Sequence, residues 1–161
     1  MRMRPKVRPM TDEDKPAIIQ MLRNIPEFKP VEVDIAEEVL DSYLRDSIRS
    51  GYHVFVAEVG SSIAGYICYG PTPLTEGTWD RYWLAVAPTQ QTRGIGKALL
   101  TFAEGNIKET QGTLALIETS SKPEYEATRR FHRAQGYELA CRIADFYAPG
   151  DDKLVFQKRL S

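Results

Sequence analysis

Near the N-terminus, the apolar residues of the chain recur with a helical period, first within residues 11–25. This spacing predicts an amphipathic helix after a short strand, with Thr11 and Asp14 in the positions of a capping box. The apolar positions of this helix are Ile18, Met21, Leu22 and Ile25. A second apolar stripe predicts a helix over residues 33–50, and Gly51 follows it, where glycine is a common helix stop.

The apolar period changes to two after this second helix. The segments "YHVFVAEV" and "IAGYICYG" flank the turn "GSS", which predicts a β-hairpin. The segment "WDRYWLAVA" predicts a third strand that ends at Pro88. Helical spacing returns over residues 95–107, and "TLALIET" predicts a strand after that helix.

The C-terminal part of the chain predicts one more helix and a second hairpin. The helix covers residues 124–135, with Ala127, Phe131 and Ala134 facing inward, and it ends at Gly136. The hairpin strands are "YELACRIADFY" and "KLVFQKRL", joined by "APGDD". Because there is no repeat, linker or low-complexity segment, we predict a single α+β domain over residues 1–161, built on a mixed sheet.

Composition narrows the classes of function. The 161 residues carry a net charge of -1, so no overall field would attract a nucleic acid. No apolar run approaches the length of a membrane span, and the basic N-terminus lacks the apolar region of a secretory signal. We therefore expect a cytoplasmic protein. Cys68 and Cys141 are predicted to be buried free thiols, and His53 and His132 are too few for a histidine-rich metal site, so no metal is expected.

The stretch "QTRGIGKALL" joins the third strand of this region to the next helix. It lacks the lysine–serine or lysine–threonine end of a P-loop, and Leu99 occupies the third glycine position of a dinucleotide fingerprint. The residues allow two interpretations. The stretch is a tight strand-to-helix turn, or it is an anion site in which helix N–H groups and Arg93 hold a phosphate.

Three segments of the chain resemble the GNAT superfamily of acyl-CoA N-acyltransferases. Residues 91–96 match its [R/Q]-x-x-G-x-[G/A] motif, "YWLAVAP" is similar to its fourth strand, and "ATRRFHRAQGY" is similar to its fourth helix. The order of the predicted elements also agrees with that family over nearly the whole chain. The resemblance implies a mixed, mostly antiparallel sheet with about four helices, in which a bulge splays strands 4 and 5 apart.

The resemblance also implies acetyl-CoA as cosubstrate and direct acetyl transfer to an amine, without a covalent enzyme intermediate. The pyrophosphate would sit on the glycine loop, the pantetheine arm would pair with the fourth strand, and an N–H group at the bulge would polarise the thioester. The implied coenzyme-binding residues are Leu84, Ala85, Val86, Gln91, Thr92, Arg93, Gly94, Ile95, Gly96, Lys97 and Tyr125. For Tyr125, the alternatives are a role in packing and a role as general acid.

The family's general acid is commonly a tyrosine at the position occupied here by His132. An imidazolium could protonate the leaving thiolate; alternatively, His132 is a solvent-facing residue and water supplies the proton. For the general base, the position implied by the family falls on Asp80, with Glu76 just upstream and Glu118 at the end of the neighbouring strand. Each of these carboxylates could equally be a solvated surface charge.

The acceptor pocket of the family is implied to involve "NIPEFKPVEVD" and "PTPLTEGTWD", which combine acidic and aromatic residues. Such a lining suits a cationic amine, in a small molecule or a peptide. The alternative function is a non-catalytic acyl-CoA sensor or interaction module on the same fold. A nucleotide-binding protein of another fold is a third reading, against which the incomplete motifs argue. The sequence is also compatible with a homodimer.

Overall fold

Seven strands form one sheet in the computed structural model, which describes residues 4–91 and 93–160. The strands are β1 (Lys6–Pro9), β2 (His53–Val59), β3 (Ser62–Pro71), β4 (Thr78–Val86), β5 (Leu114–Ser120), β6 (Glu138–Ala148) and β7 (Asp151–Arg159). Their order in the sheet is β1-β2-β3-β4-β5-β7-β6. All neighbours are antiparallel except β4 and β5. The predicted mixed, mostly antiparallel sheet is confirmed.

The helices are α1 (Lys15–Arg23), α2 (Pro30–Arg45), α3 (Ser47–Ser50), α4 (Ile95–Glu109) and α5 (Glu126–Ala134). The predicted continuous helix over residues 33–50 is wrong at its end, because the backbone of Asp46 is extended. The Asp46 carboxylate accepts a hydrogen bond from the Arg49 N–H at 3.1 Å and so caps α3 as a separate turn. Gly51 ends this turn in the left-handed conformation, with φ of 74°. No helix in the described residues is both long and apolar enough to cross a membrane.

The core has two layers, one on each face of the sheet. Helices α1 and α2 cover β2, β3 and part of β4 on one face, with Ile18, Leu22 and Leu40 fully buried. Helix α4 covers the other face, where Leu99 packs with Ile117 of β5. The capping box at Thr11 and the inward positions of α1 are as predicted.

Helix α5 turns Phe131 toward the core as predicted, but the prediction is wrong for its two alanines. Ala127 and Ala134 are exposed, whereas His132 is only 1% exposed. The His132 ring lies 5.9 Å from the ring of Phe131 and 5.9 Å from that of Phe156, centroid to centroid. The inward face of this short helix is therefore built from aromatic rings, which fill more of the core than alanine methyl groups could.

Strand β4 contains the predicted bulge. Cys68 of β3 pairs with Trp83, and Tyr69 pairs with Arg81, so Tyr82 is the extra residue between them. Only residues 78–81 of β4 pair with β5, in four residue pairs that we call the seam. Beyond the seam the two strands diverge, so the splay implied by the family resemblance is confirmed.

The outermost strand, β6, is exposed along its whole length. Cys141 lies on it, so the prediction of two buried thiols holds only for Cys68. Burial raises the pKa of the Cys68 thiol to about 12, which keeps it protonated and unreactive.

Candidate active site

The divergence of β4 and β5 leaves a cleft between residues 82–86 and residues 118–120. Ala87 donates its N–H to the carbonyl of Ala64 in β3 at 2.8 Å. The backbone groups of successive strand residues point to opposite sides. The N–H and C=O groups of Ala85, two residues before Ala87, therefore also point toward β3. The N–H and C=O groups of Leu84 and Val86 then point into the cleft. Of the predicted strand residues, Leu84 and Val86 are thus free to pair with a ligand and Ala85 is not.

The glycine loop lies at the open end of this cleft, where α4 begins. Gly94 is the N-cap of α4, with φ of 78°, and no side chain in the described part of the loop caps this end. Among the described residues of this turn, Ala98 is the first to donate within the helix, to the Gly94 carbonyl at 3.0 Å. The N–H groups of Ile95, Gly96 and Lys97 therefore remain available to an anion. Thr92, which was predicted to contribute, lies outside the described residues.

The lack of a side chain at Gly96 has a packing role in addition to the predicted one. A Cβ atom there would lie 3.3 Å from Cζ of Phe131 on α5 and 3.7 Å from Cγ2 of Val86 on β4. By contrast, a Cβ at Gly94 would meet no atom within 4 Å. Gly96 therefore lets α4 lie close to α5 and β4. Arg93 and Lys97, on either side of these glycines, are exposed and add positive charge to the loop.

His132 is buried and faces the guanidinium of Arg81, at the end of the seam. The Arg81 Nη2 atom is 3.1 Å from Nε2 of the ring, and Nη1 is 3.5 Å from Nδ1. Burial, together with the positive charge of Arg81, lowers the pKa of His132 to about 2. The imidazole is consequently neutral near pH 7. This arrangement fits neither of the sequence-based readings, a protonated donor or a surface residue.

The three candidate carboxylates occupy different parts of the site. Glu118 is the first β5 residue beyond the seam, is 53% exposed, and forms an ion pair with Lys153 at 3.0 Å. Asp80 lies within the seam and accepts a hydrogen bond from the Thr72 hydroxyl at 2.7 Å. Glu76 is exposed in the loop before β4, at the end of the strand away from the cleft. The structure brings Glu118 and Asp80 near the cleft and leaves Glu76 outside it.

Comparisons with known proteins agree with this geometry. A family model described as an acetyltransferase (GNAT) domain matches residues 50–139. A crystal structure of a GNAT-family protein from Desulfovibrio desulfuricans is 37% identical, with a TM-score of 0.94, and covers 98% of this chain and 99% of that one. The chain belongs to the GNAT acetyltransferase family. It is therefore an enzyme of acetyl transfer.

More distant GNAT structures share the fold. The ribosomal-protein-S18-alanine N-acetyltransferase of Escherichia coli is 16% identical, with a TM-score of 0.77 over 98% of this chain and 94% of that one. An aminoglycoside 6'-N-acetyltransferase complexed with coenzyme A is 15% identical, with a TM-score of 0.76 over 97% of each chain. No curated protein sequence matches the chain significantly.

Tyr125 of this GNAT enzyme lies between β5 and α5, as the N-cap residue of α5. Its hydroxyl donates a hydrogen bond to the carbonyl of Glu27, in the loop between α1 and α2, at 3.0 Å. Burial, and then the negative charges of Glu32 and Glu27, raise the pKa of Tyr125 to about 12. The Tyr125 hydroxyl thus bridges the start of α5 to the α1–α2 loop, and its contact with coenzyme A stays a prediction.

Sequence reasoning missed two residues of the GNAT site, Arg81 and Tyr82. Both lie in "WDRYW", but the strand pattern alone gives no signal for a bulge between them. The bulge decides which of the two side chains enters the core and which is left 41% exposed beside the cleft. The adjacent charged residues Asp80 and Arg81, in a strand that is otherwise mostly apolar, were the signal available in the sequence.

Proposed function

We propose that this enzyme transfers the acetyl group of acetyl-CoA directly to an amine of a small molecule or peptide. The observation that carries the proposal is a single cleft with unpaired β4 backbone along its wall and free helix N–H groups at its open end. Pyrophosphate suits the helix N-terminus, and an amide-containing arm suits the strand. Acetyl-CoA combines both chemical features in one molecule.

On the donor side, the N–H groups of Ile95, Gly96 and Lys97 would hold the pyrophosphate, with Arg93 and Lys97 adding charge-assisted contacts. The N–H and C=O groups of Leu84 and Val86 would pair with the amides of the pantetheine arm, as an added strand would. This pairing directs the thioester toward the seam. The N–H of a bulged residue takes no part in the ladder, so the Tyr82 N–H is suited to polarise the thioester carbonyl.

The acceptor side is defined by negative charge. The pKa of Tyr147 is raised by burial and then by Glu118, Asp151 and Glu32, so these carboxylates surround one region. The pKa of Tyr125 is raised partly by Glu32 and Asp151 as well. A pocket with this field attracts a cationic ammonium group, which is the resting form of most amines at neutral pH.

For the general base we favour Glu118 over Asp80. Both lie on the same face of the sheet, because Asp80 pairs with Leu116, two residues before Glu118. Asp80 is held by Thr72 within the seam, whereas Glu118 is the first β5 residue beyond the seam, beside the apex of the cleft. Glu118 would take a proton from the ammonium through water. The free amine nitrogen would then attack the carbonyl carbon, the C–S bond would break to release the CoA thiolate, and the nitrogen would lose its second proton to water to give the neutral amide.

His132 is not the proton donor in this proposal. With a pKa of about 2, its ring is not an imidazolium at neutral pH and so lacks the acidic proton that this role needs. We assign it instead a positioning role, in which it holds the guanidinium of Arg81. The leaving sulfur would take its proton from solvent after it leaves.

The test is to incubate the enzyme with acetyl-CoA and a library of amines, and to measure free thiol. We expect acceptor-dependent thiol release and calorimetric binding of acetyl-CoA in the absence of any amine. Failure to bind acetyl-CoA would refute the proposal. Binding without turnover on any amine would favour the acyl-CoA sensor. The cytoplasmic location, the absence of a metal and a homodimer all stay predictions.

A further inference from the structure

Arg81 is a half-buried cation that no carboxylate of the described residues contacts. It is the last β4 residue of the seam, paired with Ile117. None of the ion pairs within 4 Å among residues 4–91 and 93–160 includes it. Glu104 lies on the same side, but its carboxylate accepts from Tyr137 at 2.8 Å and pairs with Lys158 at 2.8 Å.

The donors of Arg81 are also largely unused. A neutral imidazole has a single acceptor nitrogen, so only one of the two contacts between Arg81 and His132 is a hydrogen bond. The Nε atom of Arg81 is buried and has no partner in the described part of the chain. Burial lowers the pKa of Arg81 to about 10, while the nearby Tyr137 and Glu104 oppose this shift, so Arg81 stays charged at neutral pH. Glu104 thus offsets part of the cost of placing this cation here, but no carboxylate contacts its donors, which suits them to hold an anion.

The position of Arg81 identifies that anion. Its side chain points to the face of the sheet that carries α4 and α5, which is opposite to the face of Asp80 and Glu118. Resting on the proposed function, the acceptor amine is deprotonated on the carboxylate face, and the coenzyme arm reaches the apex of the cleft beside Arg81. The reaction creates one anion there, the thiolate of the departing coenzyme A.

We infer that Arg81 is a catalytic residue that stabilises the leaving thiolate of coenzyme A. When the amine nitrogen bonds to the carbonyl carbon and the C–S bond breaks, the electron pair of that bond stays on sulfur. The guanidinium of Arg81 neutralises this charge without transferring its proton, and the thiolate is protonated later by solvent. His132 orients the guanidinium through its ring nitrogen and stays neutral throughout.

The experiment measures the pKa of the coenzyme A thiol in the binary complex, which needs no acceptor. Coenzyme A labelled with ¹³C beside the sulfur is titrated by NMR, free and bound, below the pH at which Arg81 loses its charge. We expect the bound thiol to titrate about one to three units lower than the free thiol, the shift that an adjacent opposite charge produces. Arg81→Gln should remove this shift, and its turnover should fall about 10²-fold.

Arg130→Gln is the matched control, because Arg130 is 75% exposed on α5 and pairs only with Glu126 in the described structure. It removes one positive charge and should leave the thiol shift unchanged. If Arg81→Gln does not fold, Arg81→Lys keeps the charge and should keep part of the shift. A bound thiol in the wild-type enzyme with the pKa of free coenzyme A, or higher, overturns the inference. Failure of coenzyme A to bind at all overturns the proposed function as well, so the two failures are distinct.

Discussion

The neutral state of His132 predicts that acid destabilises the enzyme through this one residue. In the unfolded chain its pKa is near 6.5, and in the folded protein it is about 2. The unfolded state therefore binds a proton below pH 6.5 that the folded state cannot bind. Stability from this group is fully present above pH 6.5 and is lost as the pH falls below that value.

The magnitude follows from the difference in proton binding. At pH 5.5, one unit below the unfolded pKa, His132 should lower the free energy of unfolding by about 1.4 kcal/mol. This figure does not depend on the folded pKa as long as that value lies well below 5. Carboxylates contribute little in this range, because their ordinary pKa values are about 4. Between pH 7.5 and 5.5 the slope therefore reports mainly the histidines.

Urea unfolding at pH 7.5, 6.5 and 5.5 measures this effect in the wild type, His132→Gln and His53→Gln. His53 is a useful comparison, because its pKa is also lowered, but by burial rather than by burial together with a cation. His132→Gln should lower stability at pH 7.5 and remove about 1.4 kcal/mol of the change between pH 7.5 and 5.5. If the variant keeps the full pH dependence, His132 titrates normally in the folded protein. In that case the imidazolium acid suggested by the family resemblance would return as the better explanation.

Three further predictions concern the cleft. Lys97→Gln should weaken acetyl-CoA binding by about 3- to 10-fold, because one charge-assisted contact is lost. Lys108→Gln, at the other end of the same helix, should leave the calorimetric Kd unchanged, and equal effects of the two substitutions would show that the glycine loop is not part of the binding site. Gly96→Val should lower the free energy of unfolding by about 1–3 kcal/mol by overpacking, in addition to weakening acetyl-CoA binding, and unchanged urea unfolding would contradict the packing role. Glu118→Gln should lower kcat by about 10²-fold or more at neutral pH, whereas Glu76→Gln should retain wild-type kcat with the same acceptor; the reverse result would transfer the base to the loop before β4.

The order of elements was predictable because their apolar periods are long and regular. The break between α2 and α3 was not, since Ile48 continues the helical spacing but is 90% exposed. The local backbone of Asp46 decides that break, and its capping hydrogen bond has no equivalent in the apolar pattern. Similarly, a period of 3.6 allows several faces of the short α5 to turn inward, and the rings of Phe131 and Tyr137 select the one with His132.

The candidate site was predictable where a motif carried it and not where the bulge decided it. The glycine loop and the β4 wall were both indicated by residues adjacent in sequence, and the structure places them at one cleft. The roles of Arg81 and His132 depend on a contact between residues 51 positions apart. A residue that looks like a proton donor by its place in a motif changes its chemistry when its neighbour is a half-buried cation.

The cleft also divides the sheet into two blocks that are joined directly by only the four residue pairs of the seam. Beyond the seam, the backbone amides of β4 point alternately toward β3 and into the open cleft. The amide of Ala85 is oriented toward β3, whereas those of Leu84 and Val86 face open space. Hydrogen exchange should therefore be slow and fast at alternate residues of a single strand. A ligand lying along the cleft would slow the fast set alone, and this every-second-residue pattern would distinguish binding along the strand from a general tightening of the fold.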